Sequence, residues 1–228
     1  MILRFYNTLA NWKEDFVPIQ PGRVGLYTCG PTVHDYAHIG NFRAYVFEDL
    51  LRRTLKYFGF SVTQVMNLTD VDDKTIRKSR AQGRSLNDYT RLYKDAFFQD
   101  LDALRIERAE VYPAATDHVP EMVELIQKLI EKGHTYESEG SIYFRISSFP
   151  EYGRLANVKA EGLIAGARVD SDEYEKEDVR DFALWKVWTP DDGDVFWETS
   201  LGKGRPGWHI ECSAMSHKYL GSHFDIHT

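Results

Sequence analysis

The order of apolar and polar positions divides the chain into alternating strand-like and helix-like stretches. Val24-Gly25-Leu26-Tyr27-Thr28 reads as a short strand between the breakers Pro21-Gly22 and Gly30-Pro31. A loop rich in His, Asp, Gly and Thr follows. From Asn41 onward Val46, Phe47, Leu50, Leu51, Leu55 and Phe58 recur at helical spacing, and Gly59 is placed to end that helix in a left-handed cap. Ser61 to Asn67, with Val62, Val65 and Met66, reads as a second strand. Strand, loop, helix, strand is the βαβ unit of a doubly wound parallel sheet, so the pattern predicts an α/β fold.

Further along, Ser85-Leu86-Asn87-Asp88 has the form of a capping box with Asp in place of Glu. It opens a helix expected to turn Leu92, Tyr93, Ala96, Phe97, Leu101 and Leu104 inward. Another helix is expected from near Pro120, with Glu121 and Glu124 in its first turn, the stripe Met122, Val123, Ile126, Leu129 and Ile130, and a stop at Gly133. The character then changes. Thr135-Tyr136 and Ser141-Ile142-Tyr143-Phe144 flank Glu139-Gly140 as a hairpin would, and an acidic stretch from Asp170 to Asp181 reads as a solvated loop. Residues 119–200 are read as an insertion that separates 1–118 from 201–228.

Composition narrows the class. With 228 residues, 43% apolar and 28% charged, the chain can bury a core and lacks the hydrophobic poverty of disorder. No apolar run approaches the roughly 18 residues of a membrane span, and the start has no basic flank leading into an apolar leader, so a cytoplasmic location is expected. A formal charge of -7 disfavours a protein that grips nucleic acid over a whole face, so any RNA contact is expected to be local. The two cysteines, Cys29 and Cys212, lie far apart without metal-ligand spacing. By themselves they read as small buried residues rather than as ligands.

The segment Thr28-Cys29-Gly30-Pro31-Thr32-Val33-His34-Asp35-Tyr36-Ala37-His38-Ile39-Gly40-Asn41 falls where a strand's carboxyl end meets a helix amino terminus, the usual ligand crevice of such folds. Free N–H groups and the helix dipole there attract phosphate, and Gly40 lets a nucleotide approach the backbone. His38 can donate to a phosphate, although a His-x-Gly motif is equally served by a histidine that packs or caps.

The surroundings carry more. Cys-Gly-Pro-Thr-Val, then Asp35, then His38-Ile39-Gly40-Asn41 resembles the first signature of the class I aminoacyl-tRNA synthetases in their cysteine-specific form. Asn67-Leu68-Thr69-Asp70-Val71-Asp72-Asp73-Lys74 and Gly204-Arg205-Pro206-Gly207-Trp208-His209-Ile210-Glu211-Cys212-Ser213-Ala214-Met215 agree with the same family in order and spacing. Gly166-Ala167-Arg168-Val169-Asp170 and Phe182-Ala183-Leu184-Trp185-Lys186 add to the match, which covers nearly the whole chain. One departure is Asn41, where the signature ends in histidine: an amide still donates to phosphate but cannot become cationic.

The resemblance implies a Rossmann-like catalytic domain whose first half is 1–118, a connective-peptide insertion at 119–200, and a return to the catalytic domain at 201–228. It implies activation of L-cysteine by ATP, with Mg2+, to cysteinyl-adenylate, and transfer to tRNA(Cys). Pro31, Thr32, His38, Gly40 and Asn41 would meet the nucleotide, with His38 and Asn41 at its phosphates. Gly30, Thr69 and Trp208 would contact the amino acid, and Cys29 and Cys212 would hold Zn2+, which separates a thiolate from serine's hydroxyl. The related cysteine–amino-sugar ligase of mycothiol synthesis and a noncatalytic nucleotide-binding fragment are the alternatives. For Asp70, Asp72 and Asp73, capping and ion pairing of the next helix, with Lys74 and Arg77 as partners, is favoured over magnesium.

The family's remaining zinc ligands, a histidine and a glutamate, belong to a stretch expected after Thr228, so this chain is expected to hold zinc poorly unless His209 or His227 substitutes. No Lys-Met-Ser-Lys-Ser-like stretch, whose lysine neutralises the leaving pyrophosphate, occurs in the 228 residues. Losing such a cation typically costs several kcal/mol, at tenfold in rate per roughly 1.36 kcal/mol. Cysteine-dependent exchange of labelled pyrophosphate into ATP by this chain alone is therefore expected near background, and robust exchange free of host enzyme would show the missing loop to be dispensable.

Overall fold

The computed structural model describes residues 2–155 and 180–228. A parallel sheet is built from β3 (Arg23–Thr28), β4 (Ser61–Met66) and the short β10 (Ile226–His227), in the order β10-β3-β4. Residues 111–114 continue it beside β4 through parallel bridges from Val65 to Val111 and from Leu68 to Ala114. A hairpin of β1 (Arg4–Asn7) and β2 (Trp12–Asp15) precedes it. The helix α1 (Ile39–Tyr57) crosses from β3 to β4, giving the βαβ unit that the pattern predicts.

The apolar stripe of α1 is only partly its buried face. Phe42, Tyr45, Glu48, Arg52 and Leu55 are buried, whereas Val46, Phe47 and Leu50 are 46%, 63% and 59% exposed. Arg52 can turn inward because it meets fixed counter-charges: Nη1 and Nη2 donate to both oxygens of Glu110 at 2.7 and 2.6 Å, and Nε to Glu107 at 3.2 Å. Glu110 also accepts from the Gln64 backbone N–H at 2.7 Å, tying α1, β4 and the 107–110 segment into one unit. Gly59, at φ +88°, follows α1 in the left-handed conformation that ends it.

Helix α2 (Asp73–Ala81) is capped by Asp72, which accepts from the Thr75 N–H at 2.6 Å while Thr75 Oγ1 accepts from the Asp72 N–H. The other two acidic residues do not pair with Lys74 or Arg77. Asp70 is buried against Lys94 and Thr116, and Asp73 meets Lys186 and Arg205 of the second sheet. In α3 (Leu86–Ala103) Tyr89, Tyr93, Phe97 and Leu101 face inward, but Leu92 and Leu104 are 42% and 49% exposed. Ser85 caps α3 by accepting from the Asp88 N–H, and its own hydroxyl donates to the Asp88 carboxylate, so the reciprocal half of the box is replaced.

Helix α4 (Val119–Glu131) follows a short turn at Ala115–His118, with Met122 and Ile126 fully buried, Ile130 42% exposed, and Gly133 at φ +74° after its end. An antiparallel sheet then runs β5-β6-β7-β9-β8, from β5 (Thr135–Ser138) and β6 (Ser141–Phe144) through β7 (Phe182–Val187), β8 (Trp197–Thr199) and β9 (Gly202–Pro206). Glu139 and Gly140 close the β5–β6 hairpin with φ of +50° and +79°, the two positive values a tight primed turn requires. Most of the acidic stretch and Gly166–Asp170 lie outside the described residues. Helix α5 (Trp208–Leu220) returns the chain to β10. Among the described residues no helix is long and apolar enough to cross a membrane.

Replacing Arg52 by leucine strands the Glu110 carboxylate against β4. Because Glu110 is only partly covered, a loss of about 2–3 kcal/mol is expected in urea unfolding. A loss below about 0.5 kcal/mol would mean that the pair adds nothing beyond an exposed one.

Candidate active site

The end of β3 and the end of β4 approach more closely than side chains permit. A Cβ on Gly30 would lie 1.8 Å from the Asn67 carbonyl oxygen, so only glycine fits. Past it the loop stays paired with the β4 end: Thr69 N–H donates to the Pro31 carbonyl at 3.0 Å and Val33 N–H to the Thr69 carbonyl at 2.9 Å, with Thr32 bridged to Thr69. Pro31 and Thr32 thus hold the loop open at the sheet's carboxyl edge.

His38 is the N-cap of α1. Its Nδ1 accepts from the Gly40 N–H at 3.0 Å, and Asn41 Oδ1 accepts from the His38 N–H at 3.1 Å. The cap uses the acceptors of both side chains. An imidazole whose Nδ1 accepts carries its proton on Nε2, so His38 and Asn41 each keep a donor at an exposed helix N-terminus.

Cys29, just past β3, and Cys212, in the second turn of α5, are brought together although distant in sequence. The thiols lie side by side, and the hydrogen bond from Cys212 lowers the Cys29 pKa against the opposing effect of burial. The same contact, with burial, pushes Cys212 up. Tyr27 lies under Cys212 with its pKa raised by burial, and its ring meets His227 edge-on at 5.0 Å. Burial lowers the pKa of His227, which lies near Cys212. His209 is elsewhere, 4.6 Å from the Phe182 ring, so the structure does not bring it to the thiols.

Adjacent thiols at a sheet edge suit one edge of a tetrahedral site for a soft metal. Among the described residues no group of three or more His, Cys, Asp or Glu is arranged to hold an ion, so the donor set here is the thiol pair alone.

Thr69 is buried on the β4 side of this edge, and Trp208 opens α5 at 51% exposure. Two buried acids adjoin the site that sequence reasoning did not single out. Glu211 accepts from Thr69 Oγ1 at 3.0 Å, and burial raises its pKa well above the usual carboxylate value. Glu48 accepts from Thr228 Oγ1 at 3.1 Å and is pushed up to about 7, chiefly by burial. Only the polar interruption of an otherwise apolar stripe marks Glu48 in the sequence. A cavity of about 440 Å³ bounded by Leu125, Phe144, Phe182, His209 and Ser213 contains none of the residues expected at the nucleotide or the amino acid.

The parallel sheet, the capped α1 N-terminus and the thiol pair meet at one edge. The family described as tRNA synthetases class I (C) catalytic domain matches residues 15–228, and the chain belongs to it. Its relatives are specific about the amino acid. A cysteine–tRNA ligase of Brachyspira hyodysenteriae is 62% identical over 226 residues, covering 98% of this chain and 48% of the relative. Those of Protochlamydia amoebophila and Solibacter usitatus are 58% and 56% identical, covering 99% and 100% of this chain and 48% of each relative. The chain spans about half the length of the curated relatives it matches. A solved LeuRS–tRNA complex from Agrobacterium radiobacter aligns over 55% of this chain and 16% of its own, at 22% identity and a TM-score of 0.47, too partial to add to the assignment.

Glu48 supplies a pH test. Its folded pKa of about 7 lies above the ordinary 4.5, so between these values the folded state binds more protons than the unfolded one, and stability falls as pH rises. The penalty is absent below the unfolded value and complete above about 7. At roughly 1.36 kcal/mol per unit, the stability of the wild type relative to Glu48→Gln is expected to fall by about 3 kcal/mol across that window in urea unfolding. A difference independent of pH would mean that the carboxyl is solvated.

Proposed function

We propose that this chain is the amino-acid-activating part of a cytoplasmic cysteine–tRNA ligase, using ATP and Mg2+ to convert L-cysteine to cysteinyl-adenylate for transfer to tRNA(Cys). The observation that carries the reading is the meeting of Cys29 and Cys212 at the sheet edge that also presents the α1 N-terminus. The names of relatives that are 62%, 58% and 56% identical to this chain over the aligned 48% of their length support the choice of amino acid.

In this reading His38 Nε2 and Asn41 Nδ2 donate to the nucleotide phosphates, Gly40 lets the nucleotide lie against the backbone, and Pro31 and Thr32 line its approach. The cysteine carboxylate attacks the α-phosphorus and pyrophosphate leaves, a step that requires alignment and charge stabilisation rather than a side-chain nucleophile or general base. Gly30 and Thr69 hold the amino acid and Trp208 walls it. Cys29 and Cys212 would be two of the ligands of a zinc ion, which when bound supplies selectivity for a thiolate over a hydroxyl. Residues 1–118 and 201–228 then form the catalytic parts, and 119–200 the connective-peptide insertion.

Binding separates the roles. ATP or a non-hydrolysable adenylate analogue is expected to bind this chain weakly in titration calorimetry, and His38→Ala to weaken it about tenfold, the cost of one hydrogen bond to a charged group. Equal binding by both would remove His38 from the site. In the full-length enzyme, cysteine transfer to tRNA is expected; transfer to glucosaminyl-inositol instead would assign the mycothiol ligase.

A further inference from the structure

Between the two cysteine-bearing segments runs a buried chain of three hydrogen bonds. The Gly30 N–H donates to Asn67 Oδ1 at 3.0 Å, Asn67 Nδ2 to Thr69 Oγ1 at 3.2 Å, and Thr69 Oγ1 to Glu211 Oε2 at 3.0 Å. Asn67, Thr69 and Glu211 are 2%, 1% and 1% exposed, so water does not compete for these partners.

The direction of the chain has a chemical result. A hydroxyl has one proton and two lone pairs. Thr69 gives its proton to Glu211 and one lone pair to Asn67, so all it has left to offer a ligand is an acceptor. Gly30 has likewise committed its N–H, leaving its carbonyl. Thr69 and Gly30 therefore each offer an acceptor, which suits a group that brings protons and no lone pair. In an amino acid that group is the α-ammonium.

Resting on the reading of this edge as an amino-acid pocket, we propose that Glu211 sets the pocket's polarity: by holding the Thr69 hydroxyl proton it keeps Thr69 an acceptor and so selects ligands that carry an α-ammonium. Glu211 touches no reacting atom; it is a positioning residue that acts through Thr69. Remove its acceptor and the Thr69 hydroxyl is free to rotate and aim its proton at the ammonium it should receive.

The test uses the full-length enzyme and cysteine-dependent pyrophosphate exchange, with 3-mercaptopropionate as competitor, since it keeps the thiol and carboxylate of cysteine and lacks the amine. Glu211→Met, or Glu211→Ala if methionine does not fold, is expected to raise the KM for cysteine about tenfold or more, as befits a lost hydrogen bond to a charged group. The KM for ATP and the inhibition constant of 3-mercaptopropionate are expected to move less than about threefold, because neither involves the ammonium. Glu211→Gln, whose amide oxygen still takes the Thr69 proton, should restore most of the preference for cysteine over its amine-free analogue. Thr69→Val should lose that preference, and adding Glu211→Met to it should cost little more, since both changes remove one coupled interaction. A parallel loss in all three constants, full additivity with Thr69→Val, or an unaltered preference in Thr69→Val would overturn the proposal. Absence of cysteine-dependent exchange in the wild type would instead remove the reading of the site on which it rests.

Discussion

Everything at the candidate site depends on the close approach of Gly30 to the carbonyl of Asn67. A β-carbon there would sit 1.8 Å from the oxygen, a separation no packing adjustment relieves. Because glycine permits it, the β3 and β4 strands remain in register beyond their last ladder pair, and Thr69 exchanges backbone hydrogen bonds with Pro31 and Val33. That pairing sets where Cys29 leaves the sheet, and the loop then has to cover only Asp35 to Ala37 before His38 caps α1. Cys212 reaches the same edge from the opposite direction, on a helix whose preceding residue, Gly207, is as tightly held: a Cβ there would lie 1.9 Å from the Ala183 carbonyl oxygen.

The parallel unit was legible because its signals are local. Alternation in β3 and β4, Gly59 after α1 and Glu139-Gly140 in the hairpin each obey rules that need only a few neighbouring residues. Burial within α1 was not legible, since spacing cannot reveal that Glu107 and Glu110 return to neutralise Arg52 and so admit it to the interior. The exposure of Val46, Phe47 and Leu50 follows: the inward face was already occupied. Likewise Asp72 caps the helix beside it, which sequence can foresee, whereas Asp70 and Asp73 find cations 24 to 132 positions away.

Site residues divide along the same line. The residue types at Cys29, His38 and Cys212 were visible as motifs, and the family resemblance gathered them. What the motif could not express is that His38 serves the helix and retains a donor, since a cap and a ligand contact draw on different nitrogens of one ring. Glu211 lies within the 204–215 motif, where its sequence gives no signal, because an acid in the first turn of a helix is ordinary. Its burial against Thr69 is a tertiary fact.

The Arg52 cluster also bears on how the chain reaches this structure. Glu110 lies 58 residues from Arg52, and α1 offers the sheet a face that is partly ionic. A collapsed chain in which 107–110 has not yet returned would place a guanidinium out of water without its counter-charge, at several kcal/mol. Hydrophobic collapse by itself therefore does not lock α1 down. A slipped register of 107–114 would carry Glu107 and Glu110 away from Arg52 and leave its guanidinium buried without them, so the ion cluster ties the seat of α1 to the pairing beside β4.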